Sequence, residues 1–201
     1  MSNDGRAIDS LKLLISSSSG ASYVEARYQA RKFTEINFVN GELERIRVVE
    51  NAGCGIRVLV DGCWGFSSTN DLSLLKESHD TAISAAAVLA QTKKNKVKGL
   101  AKSKMATGTF RTAGNGSLSD IDIEQKVRVT REGEKAARSN RAVKAASCTY
   151  REMLDQKVIV SSDGAEVEIY DSKPEFSVSA IAKRGGQSST AHESADLLEA
   201  R

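Results

Sequence analysis

The sequence predicts an α+β fold: a largely antiparallel sheet of β-hairpins with two to three helices packed on it. Three observations point there. Apolar residues recur at helical spacing at Ile8, Leu11, Leu14 and Ile15 and again from Leu72 to Leu89, the pattern of amphipathic helices. Strand-like runs flank Asn40-Gly41, Asp61-Gly62 and Asp163-Gly164, dipeptides suited to the positive φ of tight hairpin turns. A helix followed by hairpins then occurs twice along the chain, an order that builds antiparallel rather than doubly wound sheets.

The first helix spans residues 6–18, with Asn3 and Asp4 placed to cap it. Tyr23-Val-Glu-Ala-Arg-Tyr and Lys32-Phe-Thr-Glu-Ile-Asn-Phe-Val then read as strand before the Asn40-Gly41 turn. A two-residue turn there sets Phe38 against Leu43, Glu35 against Ile46 and Phe33 against Val48. Apolar groups reach both faces of this ribbon, so at least part of it should be covered on two sides. A second hairpin runs from Gly53 to Val60 and returns from Cys63 to Ser68. Cys54, Ile56, Val58, Val60 and Cys63 share one of its faces, and Arg57, Leu59, Trp64 and Phe66 the other. Gly53 and Gly55 suggest a dinucleotide loop, but Val58 stands where its third glycine belongs, so close packing explains them better. Trp64 is expected to pack on Leu59 with Arg57 over its ring.

Thr69-Asn-Asp caps a second helix striped by Leu72, Leu75, His79, Ala82, Ile83, Ala86 and Leu89. Thr92 to Gly116 reads as a basic linker holding a short strand near Thr107 to Thr112. Ser119-Asp-Ile-Asp opens a charged helix to about Arg141, with Ile123, Val127 and Ala136-Ala137 as its apolar side. Strands follow at Ala145–Leu154, Lys157–Ser161, Ala165–Tyr170 and Glu175–Lys183, and the Asp163-Gly164 turn is expected to pair Val160 with Val167 and Val158 with Ile169. The organisation predicted is one domain over residues 1–201, in two helix-plus-hairpin halves, about 1–91 and 117–184, joined by the linker 92–116.

Composition narrows the chemistry. At 201 residues with 40% hydrophobic and 27% charged side chains, the chain can bury roughly two-thirds of its unfolded surface and needs no staples. Its longest nearly apolar stretch, Ala82 to Ala90, is far short of the roughly 20 residues of a membrane span, and the polar start lacks a leader's apolar region. A cytoplasmic location without membrane partners is expected. Cys54, Cys63 and Cys148 show no metal-knuckle spacing. Hairpin geometry puts Cys54 opposite Thr69 and too far from Cys63 to bridge, so all three read as reduced core residues. The two histidines, His79 and His192, are a small stock for a zinc site or a triad; His79, on its helix stripe with no ligating partner one turn away, reads as a hydrogen-bonded residue.

Charge is uneven. Lys93, Lys94, Lys96, Lys98, Lys102, Lys104 and Arg111 fall in a stretch with no Asp or Glu between Asp80 and Asp120, so the remainder of a chain of net charge +3 is mildly acidic. Spaced lysines suit phosphates, but Phe110 is the only aromatic in that stretch. A solvated connector is therefore the preferred reading over nucleic acid.

Several ordered blocks carry a resemblance. Tyr23-Val-Glu-Ala-Arg, Val39-Asn-Gly-Glu-Leu-Glu, the run from Gly53 through Trp64-Gly-Phe to Leu72, and Val158-Ile-Val-Ser-Ser-Asp-Gly-Ala-Glu together resemble the amino-terminal domain of the TldD/PmbA family, once called modulators of DNA gyrase. The resemblance covers about Ser22 to Arg184. It implies a cytoplasmic zinc metallopeptidase assembly that encloses unfolded or flexible peptides between related subunits. In that family a carboxy-terminal domain supplies an H-E-x-x-x-H helix, whose histidines hold zinc while the glutamate activates water. Here His192-Glu193 is followed by Asp196 and Leu197 at the fourth and fifth places, so neither zincin spacing finds a second histidine.

The resemblance therefore implies a non-catalytic domain serving substrate enclosure and subunit association, with zinc and hydrolysis in a domain beyond Arg201. No catalytic, cofactor-binding or metal-ligating residue is assigned to this chain. Its expected partners are a related TldD/PmbA-type subunit and an unfolded peptide. The alternatives are a nucleic-acid-binding or regulatory module using residues 93–111, or an inactive truncated remnant.

Overall fold

The computed structural model describes residues 4–111 and 118–196. Asn3, Thr112, Gly116 and Leu197 lie outside them. The elements are α1 (Asp4–Ser17), β1 (Tyr23–Val39), β2 (Glu42–Val60), β3 (Cys63–Thr69), α2 (Leu75–Thr92), β4 (Thr107–Arg111), α3 (Ile123–Ala137), β5 (Val143–Ser161), β6 (Glu166–Arg184) and β7 (Gln187–Asp196). One-turn 3₁₀ segments at Leu72–Leu74 and Leu118–Asp120 precede α2 and α3. The strands run β3-β2-β1-β5-β6-β4, with β7 also pairing β6. This is the α+β architecture expected; β4 alone is shown pairing in parallel, against β6.

Four strands are longer than the sequence suggested. Each of β1, β2, β5 and β6 continues through a polar stretch that reads as a break, such as Gln29 to Arg31 or Asn51-Ala52. Backbone ladders need no apolar side chains, and these four strands each contribute a segment to both of two compact units. Unit 1 comprises Met1–Ala30, Asn51–Arg111 and Gln156–Tyr170; unit 2 comprises Arg31–Glu50, Thr112–Asp155 and Asp171–Arg201.

In unit 1, Ala7, Leu11 and Leu14 of α1 and Leu75, Ala82 and Ala86 of α2 pack on Val24, Ala26, Ile56, Val58 and Val160. Each such side chain, fully buried, contributes about 1.5–3 kcal/mol if it is Val, Leu or Ile. The β2–β3 ladder pairs Val60 with Cys63 and Cys54 with Thr69, as predicted, across a turn with Asp61 at φ 46° and Gly62 at φ 76°. Gly65 is where α2 meets β3, because a Cβ there would run into the Ala82 carbonyl.

The β5–β6 turn departs from expectation. Ser161 N–H donates to the Ala165 carbonyl, and Gly164 N–H to Ser161, so the loop holds three residues, with Gly164 absorbing the extra one at φ 94°. Ser161 then faces Ala165, and the register shifts by one from the predicted Val160–Val167 pair. A one-residue slip exchanges faces. Accordingly Glu166, not Val167, reaches α1, where it pairs with Lys12 at 2.6 Å.

In unit 2 the Asn40-Gly41 turn takes φ 51° and 90°, and Ile36, Phe38 and Tyr150 form the core with Val127 and Phe176 against them. α3 is capped by Asp122, which accepts from Gln125 N–H. Its buried stripe corrects the apolar side predicted: Ile123 and Ala136 are exposed, while Lys126, Thr130 and Glu134 are buried. The unpredicted β7 pairs with β6 across Gly185-Gly186. The only proline, Pro174, falls between the β6 residues paired with β4 and those paired with β7. On that side its missing N–H leaves no ladder bond unmade.

Candidate functional site

The most accessible recognition feature in unit 2 is the outer side of β2. β3 pairs only with Cys54 to Val60, so on the side of β2 away from β1 no strand lies beside Glu42 to Glu50 among the described residues. Every residue there except Val49 is exposed, including Leu43, Ile46 and Val48; the cover expected for the ribbon does not extend to this segment. Asn37 Nδ2 donates to Glu44 at 3.0 Å, in keeping with the predicted β1–β2 pairing. An edge of this kind offers a row of backbone donors and acceptors to an extended chain. Glu44, Arg45, Arg47 and Glu50 punctuate it with charge, which discourages indiscriminate pairing.

Unit 1 carries an ionic and aromatic cluster on the sheet face away from its core. Arg57 lies 4.7 Å over the Trp64 ring, and Trp64 faces Leu59 in the ladder, as the sequence predicted. Tyr23 meets Trp64 edge-on at 5.8 Å. Glu25 collects the group: Tyr23 Oη donates to it at 2.9 Å, Arg27 Nε at 2.7 Å and Arg57 Nη2 at 3.3 Å. Burial alone would raise the Glu25 carboxyl, but the Arg27 and Tyr23 hydrogen bonds and the two guanidinium charges hold it below its ordinary range. Burial, reinforced by Glu25, pushes the Tyr23 phenol up. With every member occupied by another, the cluster reads as a rigid support. The sequence signalled Trp64 and Arg57 but gave no sign of Glu25.

Beneath α3 lies a second polar network that sequence reading missed. Lys126 Nζ donates to Glu152 at 2.6 Å and to the Leu118 carbonyl at 2.9 Å. Tyr150 Oη donates to the other Glu152 oxygen at 2.5 Å; burial first, and Glu152 second, drive that phenol strongly upward. Two turns along, Glu134 Oε1 accepts from Gly41 N–H at 3.0 Å and pairs with Arg138, fastening the β1–β2 turn to the helix. The signal available was the spacing Lys126, Thr130, Glu134, Arg138, one residue per turn.

Metal-ligating side chains are dispersed. Among the described residues no three His, Cys, Asp or Glu groups converge. His79 is buried and committed through Nε2 to Ser18 at 2.7 Å and through Nδ1 to Asp80 at 3.2 Å. His192 stands on exposed β7, 2.8 Å from Ser179. The cysteines are buried core residues, as expected. These donors do not fit a zinc centre.

Two family profiles match the chain: PmbA/TldA metallopeptidase domain 1 over residues 24–90 and the PmbA/TldA metallopeptidase central domain over residues 116–200. The chain belongs to the TldD/PmbA family. No curated protein matches it in sequence. Solved structures share the TldD/PmbA fold at low identity. One from Thermotoga maritima, named as a modulator of a DNA gyrase, gives a TM-score of 0.69 at 19% identity, covering 87% of this chain and 39% of its own. Another of that name, from Bacteroides thetaiotaomicron, gives 0.65 at 15% identity over 96% and 45%. TldE from Thermococcus kodakarensis gives 0.61 at 14% over 97% and 43%. This TldD/PmbA chain thus spans about two-fifths of the length of those proteins.

Proposed function

We propose that this chain is the non-catalytic, amino-terminal part of a TldD/PmbA-type zinc metallopeptidase, acting in the cytoplasm to enclose unfolded or flexible peptides and to associate with a related subunit. Hydrolysis is then performed by zinc-binding residues elsewhere in the assembly. Family membership and the two matched domains support the lineage. The observation that carries the binding role is the unpaired side of β2 at Glu42 to Glu50, with Leu43, Ile46 and Val48 exposed on it. Strand addition takes affinity from the backbone and only loose preference from side chains. That suits peptides sharing no sequence.

The test is zinc-dependent cleavage of a flexible peptide by a related TldD/PmbA-type subunit, with and without this chain. Faster cleavage or tighter peptide retention in its presence is expected. An unchanged rate together with unchanged binding rejects the reading.

A further inference from the structure

The coil between α2 and β4 has a path set by the fold. α2 packs on β3, at one edge of the unit 1 sheet, and β4 joins the opposite edge beside β6. Residues 93–106 must therefore traverse the width of that sheet. The coil is pinned at the β2–β3 turn, where Val97 N–H donates to the Gly62 carbonyl at 2.8 Å and Lys96 fills the space a Gly62 side chain would take. Lys93, Lys94, Lys96, Lys98, Lys102 and Lys104 are all exposed. Among the described residues none of them forms an ion pair.

Cations without protein partners hold mobile counterions, and a polyphosphate strand gains free energy by releasing them. Lysine ammonium groups alone do not separate a phosphate chain from an acidic peptide. The rings do. The stretch itself carries one, Phe110, 51% exposed on β4, and the fold adds Phe66, 64% exposed on β3, so each edge strand of the unit presents a phenyl ring at least half open to solvent. Beside Phe110, the Arg111 guanidinium lies 4.0 Å over Tyr170. Exposed rings combined with unpaired cations form the working surface of single-strand binders, because every base has a face to stack and no base edge need be read.

We propose that the lysine belt of residues 93–104, with Phe66 and Phe110 on the edge strands, binds single-stranded nucleic acid without sequence preference. The probe is a fluorescent oligothymidylate of about 20 nucleotides, followed by anisotropy with the full chain between about 50 and about 300 mM salt. Binding at low salt that falls steeply as salt rises is expected. Replacing Lys93, Lys94, Lys96 and Lys98 by Gln should weaken it at least about tenfold and flatten the salt slope. Phe110→Ala and Phe66→Ala should each weaken it by roughly fivefold or more and leave the slope unchanged. Absence of binding at low salt overturns the proposal. So does equal competition by polyglutamate of matched charge with no effect of the phenylalanine variants, which would mark a surface for acidic peptides instead.

Discussion

The Lys126 ammonium lies 2.6 Å from the Glu152 carboxylate, with the two side chains only 8% and 1% exposed. Both charges have left water, and the geometry compensates them: Leu118 takes a second lysine proton and Tyr150 satisfies the other carboxylate oxygen. Removing one partner strands the other. Lys126→Met or Glu152→Leu should each destabilise the fold by about 3–5 kcal/mol, while the two combined should cost well under the sum. Urea unfolding of the three variants measures this, and strict additivity would show that the two groups are not coupled.

Gly65 and Gly99 make a paired experiment. A Cβ at Gly65 would penetrate backbone of α2 at Ala82 and touch Ala86, whereas one at Gly99 meets nothing within 4 Å. Gly65→Ala should cost about 1–3 kcal/mol or more as the helix is forced off β3, and Gly99→Ala should stay within about 0.5 kcal/mol. Thermal unfolding of both separates close packing from a general intolerance of side chains at glycine.

What was legible in the sequence follows from how local the cause is. Asn40-Gly41 and Asp61-Gly62 announce their turns because positive φ is a property of the residues themselves. The Cys54, Ile56, Val58 face and the Arg57–Trp64 stack follow from alternation once the turn is fixed. The Asp163-Gly164 loop has the same dipeptide yet one more residue, and only the Ser161–Ala165 bond reveals it. Strand β7 escaped because Gln187 to Asp196 shows no apolar alternation, though Gly185-Gly186 was a usable hairpin sign. The stripe of Lys126, Thr130 and Glu134 resembles a solvated helix face until Glu152, 26 residues away, is brought under it. The open edge of β2 was half visible: apolar groups on both faces of the ribbon were evident, but the edge is open because β3 ends its pairing at Cys54.

Burial pushes the Cys54 and Cys148 thiols up to about 11, with the nearby Glu134 charge adding to the effect at Cys148. Almost no thiolate exists at neutral pH, and the thiolate is the reacting species. A water-soluble thiol reagent at pH 8 should label neither cysteine in the folded protein and both after denaturation. The same shift makes stability pH-dependent: in the unfolded chain these thiols ionise near 9 and in the native state near 11, so their contribution is complete below 9 and is lost as pH rises towards 11. Urea midpoints should hold from pH 7 to about pH 9 and fall from there to pH 11, and a flat profile over the upper interval would contradict the burial.

The β2 edge separates binding from folding. Ile46 and Val48 are 46% and 47% exposed, so Ile46→Lys and Val48→Lys should each change stability by less than about 0.5 kcal/mol. A lysine on an open edge, however, opposes the approach of another strand, both through its charge and through the hydration it must shed. If extended peptides add to this side of β2, the double variant should lose most of its affinity for a flexible peptide while keeping the native urea midpoint. Phe66→Ala, on β3 in the other unit, serves as the control and should leave peptide affinity unchanged. Peptide anisotropy and urea unfolding on the same preparations decide the matter. Retained affinity with retained stability would move the peptide off β2, whereas affinity and stability lost together would show that Glu42 to Glu50 is needed for the fold itself.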